Sequence, residues 1–206
     1  MYSVAWHNIL YFIHVFSFFV CLDEVVTQIE KKADKICAIG EVGLDFQPRI
    51  TPDTSHKDTQ RSVLKAQVEL ANKLNLPLNV HSRSAGKQTI AALKEFGARI
   101  VLLHAFDGRP STAMEGIAKG YFFSIPPSIV RTEQMKLVKQ LPIDNMVLET
   151  DCPGLGPVKG ERNEPANVQI PCDYIAKVKG MTSQEVKRIT SQNAIKLFPR
   201  LKLILK

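Results

Sequence analysis

The chain has 206 residues, 45% hydrophobic and 23% charged, a length that supports one sizeable core and a balance that excludes disordered, collagen-like and coiled-coil classes. Its 27 Lys and Arg outweigh 20 Asp and Glu for a formal charge of +7, which favours polyanionic partners such as nucleic acid or phosphorylated substrates. Cys21, Cys37, Cys152 and Cys172 form no CxxC pair and no zinc-knuckle spacing, so they read as reduced thiols of a cytoplasmic or nuclear protein.

Residues 9–22 (ILYFIHVFSFFVCL) are the only strongly apolar run, and His14 and Ser17 interrupt it. The run is too short to span a bilayer comfortably, and no Lys or Arg precedes Lys31 to form the basic start of a secretory signal. No membrane partner is expected. Residues 9–22 therefore read as a buried strand or an atypical start, and 1–36 as an atypical apolar segment with a helix over Leu22–Lys35, ahead of a domain over 37–206.

From Cys37 the chain alternates short apolar runs with amphipathic stretches. The runs Cys37–Leu44, Leu76–His81, Arg99–Phe106, Tyr121–Pro126 and Asn145–Thr150 are rich in Ile, Val, Leu or Phe and bounded by Gly, Pro, Asn or Asp, which predicts buried parallel strands. Between them, apolar residues recur at helical spacing over Gln60–Asn75, around Ile90–Phe96, before Gly120 and before Pro142, and Thr182 with Glu185 predicts a capping box that starts a final helix. This order means an α/β fold with a parallel sheet, doubly wound or closed into a barrel.

The strand ends carry groups that bind metals or protons. Glu41 and Asp45 end the first run, His81 the second, His104 the third, and Glu149 and Asp151 the fifth. In parallel α/β folds the carboxyl ends of strands gather on one face, where enzymes hold their sites. Two imidazoles with carboxylates suit zinc, manganese or nickel better than calcium. Glu149 and Asp151 are two apart, so on a strand they share a direction. His81 and Arg83 share that spacing, which places a guanidinium either beside a bound phosphate oxygen or in a salt bridge on the rim.

The segments Gly40-Glu41-Val42-Gly43-Leu44-Asp45, Asn79-Val80-His81-Ser82-Arg83, His104-Ala105-Phe106-Asp107-Gly108, Leu148-Glu149-Thr150-Asp151-Cys152-Pro153 and Arg162-Asn163-Glu164-Pro165-Ala166-Asn167 resemble, in order, the signatures of the TatD family of metal-dependent deoxyribonucleases. The resemblance implies a TIM-like (β/α)₈ barrel of the metal-dependent hydrolase superfamily. It also implies DNA as substrate and two divalent cations per site, whether zinc, magnesium or manganese. By motif, Glu41 would bridge the ions, His81 and His104 would hold one, and Asp151 would hold the other. Glu149 would stand beside the reacting water, and Arg83, Arg162 and Asn163 would meet substrate phosphates. Asn193 matches the family too and reads as structural.

The family's opening His-x-His is missing, as is its Gly-x-His-Pro ahead of the Glu41 strand. His7 and His14 are the only earlier histidines and have no matching context. The five strands then correspond to the fourth to eighth of the barrel, with the first three βα units missing or replaced by the apolar segment. Such a sheet has open edges unless residues 4–20 pair there. One ion keeps three protein ligands, while its partner keeps Glu41 and Asp151 and is held weakly. A metal-dependent deoxyribonuclease of reduced activity is the leading expectation. The alternatives are an impaired fragment that binds metal or nucleic acid and a related amide or lactone hydrolase; the oligomeric state is not readable.

Overall fold

The computed structural model describes residues 10–11 and 22–204. Six parallel strands stand side by side in chain order: β1 (Leu10–Tyr11), β2 (Ala38–Gly43), β3 (Leu78–His81), β4 (Val101–Leu103), β5 (Phe122–Ile125) and β6 (Met146–Leu148). The helices are α1 (Leu22–Lys31), α2 (Thr54–Leu74), α3 (Gly86–Glu95), α4 (Pro110–Ile117), α5 (Met135–Gln140), α6 (Gln169–Lys179), α7 (Ser183–Leu197) and the short α8 (Leu201–Ile204). A doubly wound sheet would reverse its strand order at a switch point. This sheet does not reverse, and α1–α6 pack on one face, so the described residues form an unclosed arc of a β/α barrel.

Strand alternation sorts the side chains. Ile39, Leu78, Val80, Val101, Leu103, Phe123, Ile125 and Met146 face the helices, where they are buried with Leu64 and Val68 of α2, Ile90 and Leu93 of α3, Leu137 and Val138 of α5 and Ile175 of α6. Full burial of a Leu or Phe stabilises by about 2 kcal/mol, so this layer supplies most of the cohesion. Ala38, Leu102, Phe122 and Val147 point to the inner face, where the chain leaving α7 covers them with Leu197 and Phe198.

The helix starts follow from local chemistry. Asp53 accepts the His56 backbone N–H and starts α2 at Thr54, six residues earlier than the apolar spacing indicates. The capping box of Thr182 and Glu185 forms as read and starts α7. The helix over 22–35 is shorter than expected, ending at Lys31. Ile29 is buried in the same core as β2, and Glu30 accepts from Lys73 Nζ at 2.7 Å, so α1 packs into the body of the 37–206 region.

The N-terminal segment contributes a strand. Leu10 pairs with Ala38 and Tyr11 with Ile39, in parallel, so β1 covers the β2 edge at those two positions. His7 and His14 lie outside the described residues. The remaining strands are shorter than read: Asn145–Thr150, for example, narrows to Met146–Leu148. Glu149 and Asp151 thus follow the strand instead of occupying it, and Asp151 takes a left-handed φ of 52°. Strand alternation therefore does not set the direction of Asp151. No described helix is long and apolar enough to cross a membrane, and Cys37, Cys152 and Cys172 are free thiols.

Candidate metal centre

The inner face delivers the polar residues. Asn79 and His81 share a face of β3. Continuing the alternation past the strand ends puts His104 on the side of Leu102 and Glu149 on the side of Val147. In β2 the register shifts between Ile39 and Val42, around Glu41. The two glycines of Gly40-Glu41-Val42-Gly43 permit the close approach of β2 to β3. A Cβ on Gly40 would lie 2.7 Å from Asn79 Cβ, and one on Gly43, whose φ is 134°, would lie 2.0 Å from the His81 carbonyl oxygen. Only glycine fits there.

Glu41, His81 and His104 converge, with one ligand atom from each lying within 4.8 Å of the others. Glu41 Oε1 is 3.0 Å from His81 Nδ1 and is hydrogen-bonded to His104 Nε2. The outer nitrogen of each imidazole faces a further carboxylate. His81 Nε2 is 3.2 Å from Asp45 Oδ2, and His104 Nδ1 is 3.7 Å from Glu149 Oε2. Glu149 Oε1 in turn accepts the Ala105 backbone N–H at 2.8 Å. The donor set of two imidazole nitrogens and a carboxylate oxygen, arriving from three strands, fits a divalent transition metal such as zinc.

The charges respond to one another. Burial opposes a charge on Glu41, but hydrogen bonds from His104 and His81 outweigh it and hold the carboxyl well below the usual range. Burial likewise disfavours protonated His104, but Glu149 and Glu41 overcome this and push it up to about 10. His81 is raised against its own desolvation by Glu41 and then Asp45. Without metal, the two imidazoles are thus drawn toward the charged form by the carboxylates around them.

Asp151 lies outside the three-residue cluster and is exposed. Its carboxyl is nevertheless pushed up to about 6, first by partial desolvation and then by the charge of Glu149, with a smaller contribution from Glu41. It therefore stands on the rim within the field of the cluster. Arg83 and Arg162 are exposed in the loops after β3 and β6, and among the described residues no ion pair engages the Arg83 guanidinium. Asn163 is buried at 2% exposure, and its amide is occupied by the loop. Its Nδ2 donates to the Thr150 and Gly154 carbonyls at 2.6 and 2.7 Å, and its Oδ1 accepts from Glu164 N and Asn167 Nδ2.

Asp45 is among the strand-end groups read as binding metals or protons, without a specific role, whereas Gln60 registers only as part of a helix. Its signal is spatial: Gln60 lies 15 positions from Asp45, and it accepts the Asp45 backbone N–H at 2.9 Å and donates to the Asp45 carbonyl at 3.1 Å.

Residues 13–199 match the family described as TatD related DNase. The chain is 59% identical to the human deoxyribonuclease TATDN3 over 89% of its own length and 68% of that protein, and 58% identical to the mouse counterpart, of which it covers 63%. It is 38% identical to the uncharacterized metal-dependent hydrolase YabD of Bacillus subtilis, over 80% of this chain and 66% of that one. It thus spans about two thirds of the length of these relatives. Among solved structures it is similar to YJJV, a TatD homologue from Escherichia coli (TM-score 0.77, 24% identity, 86% of this chain and 70% of that one). A TatD family hydrolase from Entamoeba histolytica is also similar (TM-score 0.75, 26% identity, 86% and 68%). The likeness in fold to these TatD proteins agrees with the parallel arc of strands and its connecting helices.

Proposed function

The chain belongs to the TatD related DNase family, and from that premise we propose that it is a metal-dependent deoxyribonuclease that hydrolyses DNA phosphodiester bonds with water. The observation that carries this reading is the convergence of Glu41, His81 and His104 at the carboxyl ends of three parallel strands. Glu41 and the inner nitrogens of His81 and His104 hold one divalent cation. A cation held there supplies Lewis acidity, polarising a phosphoryl oxygen and making a water acidic enough to attack at neutral pH.

The chain's own groups do the rest. Glu149, beside His104, orients that imidazole and stands next to the attacking water. Arg83 and Arg162, unencumbered at the rim, meet the non-bridging oxygens of the phosphate and fix it in line for attack. Asn163 serves the same end through the loop, by fixing the carbonyls on either side of Asp151 and Cys152. Asp151 and Glu41 are the groups offered to a second ion, whether zinc, magnesium or manganese. With only these two ligands among the described residues that ion is held weakly, and the loss of its share of charge stabilisation slows cleavage by about a hundredfold, or about 3 kcal/mol. The names carried by the relatives support a nucleic-acid phosphodiester over an amide or lactone.

Nicking of supercoiled DNA and metal content, measured together on purified protein, test the reading. Wild type should retain a divalent ion and nick DNA in a chelator-sensitive way, and His104→Ala should lose both. Equal nicking by His104→Ala, or in excess chelator, would assign the activity to a contaminant.

A further inference from the structure

Asp45 is a buried carboxylate, 6% exposed, in a position where an apolar residue would cost less to bury. Each of its polar groups has a partner. Oδ1 accepts the Gln47 backbone N–H at 2.9 Å, Oδ2 lies 3.2 Å from His81 Nε2, and Gln60 clasps the backbone of the residue through both N–H and C=O. The residues on either side are tied to the chain around His81: Leu44 N donates to the His81 carbonyl at 3.1 Å and Phe46 N to the Arg83 carbonyl at 3.0 Å. Asp45 therefore cannot shift relative to His81 without breaking bonds on three elements.

An imidazole has two nitrogens, and which one carries the proton is set by the partner of the other. Asp45 at Nε2 requires an N–H there, and Glu41 at Nδ1 favours one as well in the metal-free ring; a cation seated beside Glu41 would displace the Nδ1 proton, while Nε2 would keep its own for Asp45. We propose that Asp45, anchored by Gln60, is a positioning residue that locks His81 into the Nε2–H form and orients its Nδ1 as a metal ligand. The proposal rests on the metal-site reading above and extends it outward by one layer. Carboxylates behind ligating histidines typically account for 10- to 100-fold in metal affinity. Glu149 stands on the corresponding side of His104, at the longer distance of 3.7 Å from Nδ1.

The test combines affinity with a spectroscopic signature. Zinc dissociation constants from chelator competition should rise about 10- to 100-fold in Asp45→Asn, with an unchanged circular dichroism spectrum. Long-range ¹H–¹⁵N spectra of zinc-loaded wild type, with the His81 signals assigned by their loss in His81→Gln, should show a protonated Nε2 and a metal-shifted Nδ1. The opposite pattern, Nε2 metal-shifted and Nδ1 protonated, would overturn the proposal even if every Asp45 variant failed to fold. A folded Asp45→Asn protein with wild-type zinc affinity would overturn it as well. Failure of wild type to bind zinc, magnesium or manganese would instead remove the metal-site reading on which it rests.

Discussion

His104 Nε2 and Glu41 Oε1 are hydrogen-bonded across 63 positions of sequence, joining the end of β4 to the C-terminal half of β2. The contact occupies the same nitrogen and oxygen that a cation would use, so protons and metal compete for one pair of atoms. In the metal-free protein the neighbouring carboxylates keep His104 protonated, against burial, up to about pH 10. Metal uptake must therefore release protons near neutrality. Apparent zinc affinity should rise with pH between about 6 and 9, and calorimetry in buffers of different ionisation enthalpy should count about one or more protons released per ion. An affinity independent of pH over that interval would contradict the arrangement.

The same shifts govern the metal-free fold. His104 has a folded pKa above its ordinary value of 6.5, so its contribution to stability is complete below about 6.5 and is lost as pH rises toward about 10. Glu41, held below its ordinary 4.5, acts in the other direction: its contribution is complete above about 4.5 and fades as pH falls. In chelator, the melting temperature should therefore decline along the alkaline limb, and His104→Ala should flatten that limb. An unchanged limb in the variant would place the dependence elsewhere.

What the sequence made legible follows from the range of each interaction. The strand and helix order and the Thr182–Glu185 cap rest on local patterns, and they recur in the structure. Glu41, His81 and His104 were legible because strand ends in a parallel fold share one face, so convergence needs topology but no exact register. Asp45 was harder, because its contact with His81 depends on how the loop after β2 turns back along β3. That residues 4–20 could pair with the open edge was legible, but the register of Leu10 with Ala38 was not, since an apolar run can serve as strand, helix or anchor until a partner edge selects one. Asn163 shows the opposite difficulty: the motif around it suggested contact with substrate, whereas its amide bonds are spent on the Thr150–Asn167 loop.

Arg83 offers a separation of binding from chemistry. Arg83 is exposed two residues after His81, and on the proposed reading its removal takes away a phosphate contact but no metal ligand. Steady-state cleavage of a short oligonucleotide by Arg83→Ala should show KM raised about tenfold or more, a loss at or above the lower end of the roughly 1.5–3 kcal/mol of a hydrogen bond to a charged group. Metal content should be unchanged and kcat altered less than KM. A fall confined to kcat would mean that the guanidinium acts mainly on the transition state.

The β6 edge gives the last prediction. Glu149 N donates to the Ile125 carbonyl, so alternate groups of β6 bond to β5 while the Met146 carbonyl points to the unpaired side. Asn193 of α7 meets it there: its Nδ2 donates to Met146 O at 2.7 Å and to Ile143 O at 2.8 Å, and the residue is only 6% exposed. One amide thus satisfies a strand-edge acceptor and fastens α7 across the end of the sheet. Removing it strands the Met146 carbonyl, since the Ile143 carbonyl still accepts the Met146 backbone N–H, and leaves β6 available to pair with another chain. Asn193→Ala should lower unfolding stability by about 1–3 kcal/mol, the cost of leaving a buried acceptor unsatisfied. Light scattering should also show association that grows with protein concentration, beyond that of wild type at equal distance below its melting point. Asn193→Asp, which removes the donors at nearly constant shape, should be at least as destabilising. If Asn193→Asp matched wild type in both measurements, Asn193 would be filling space at this edge instead of bonding it.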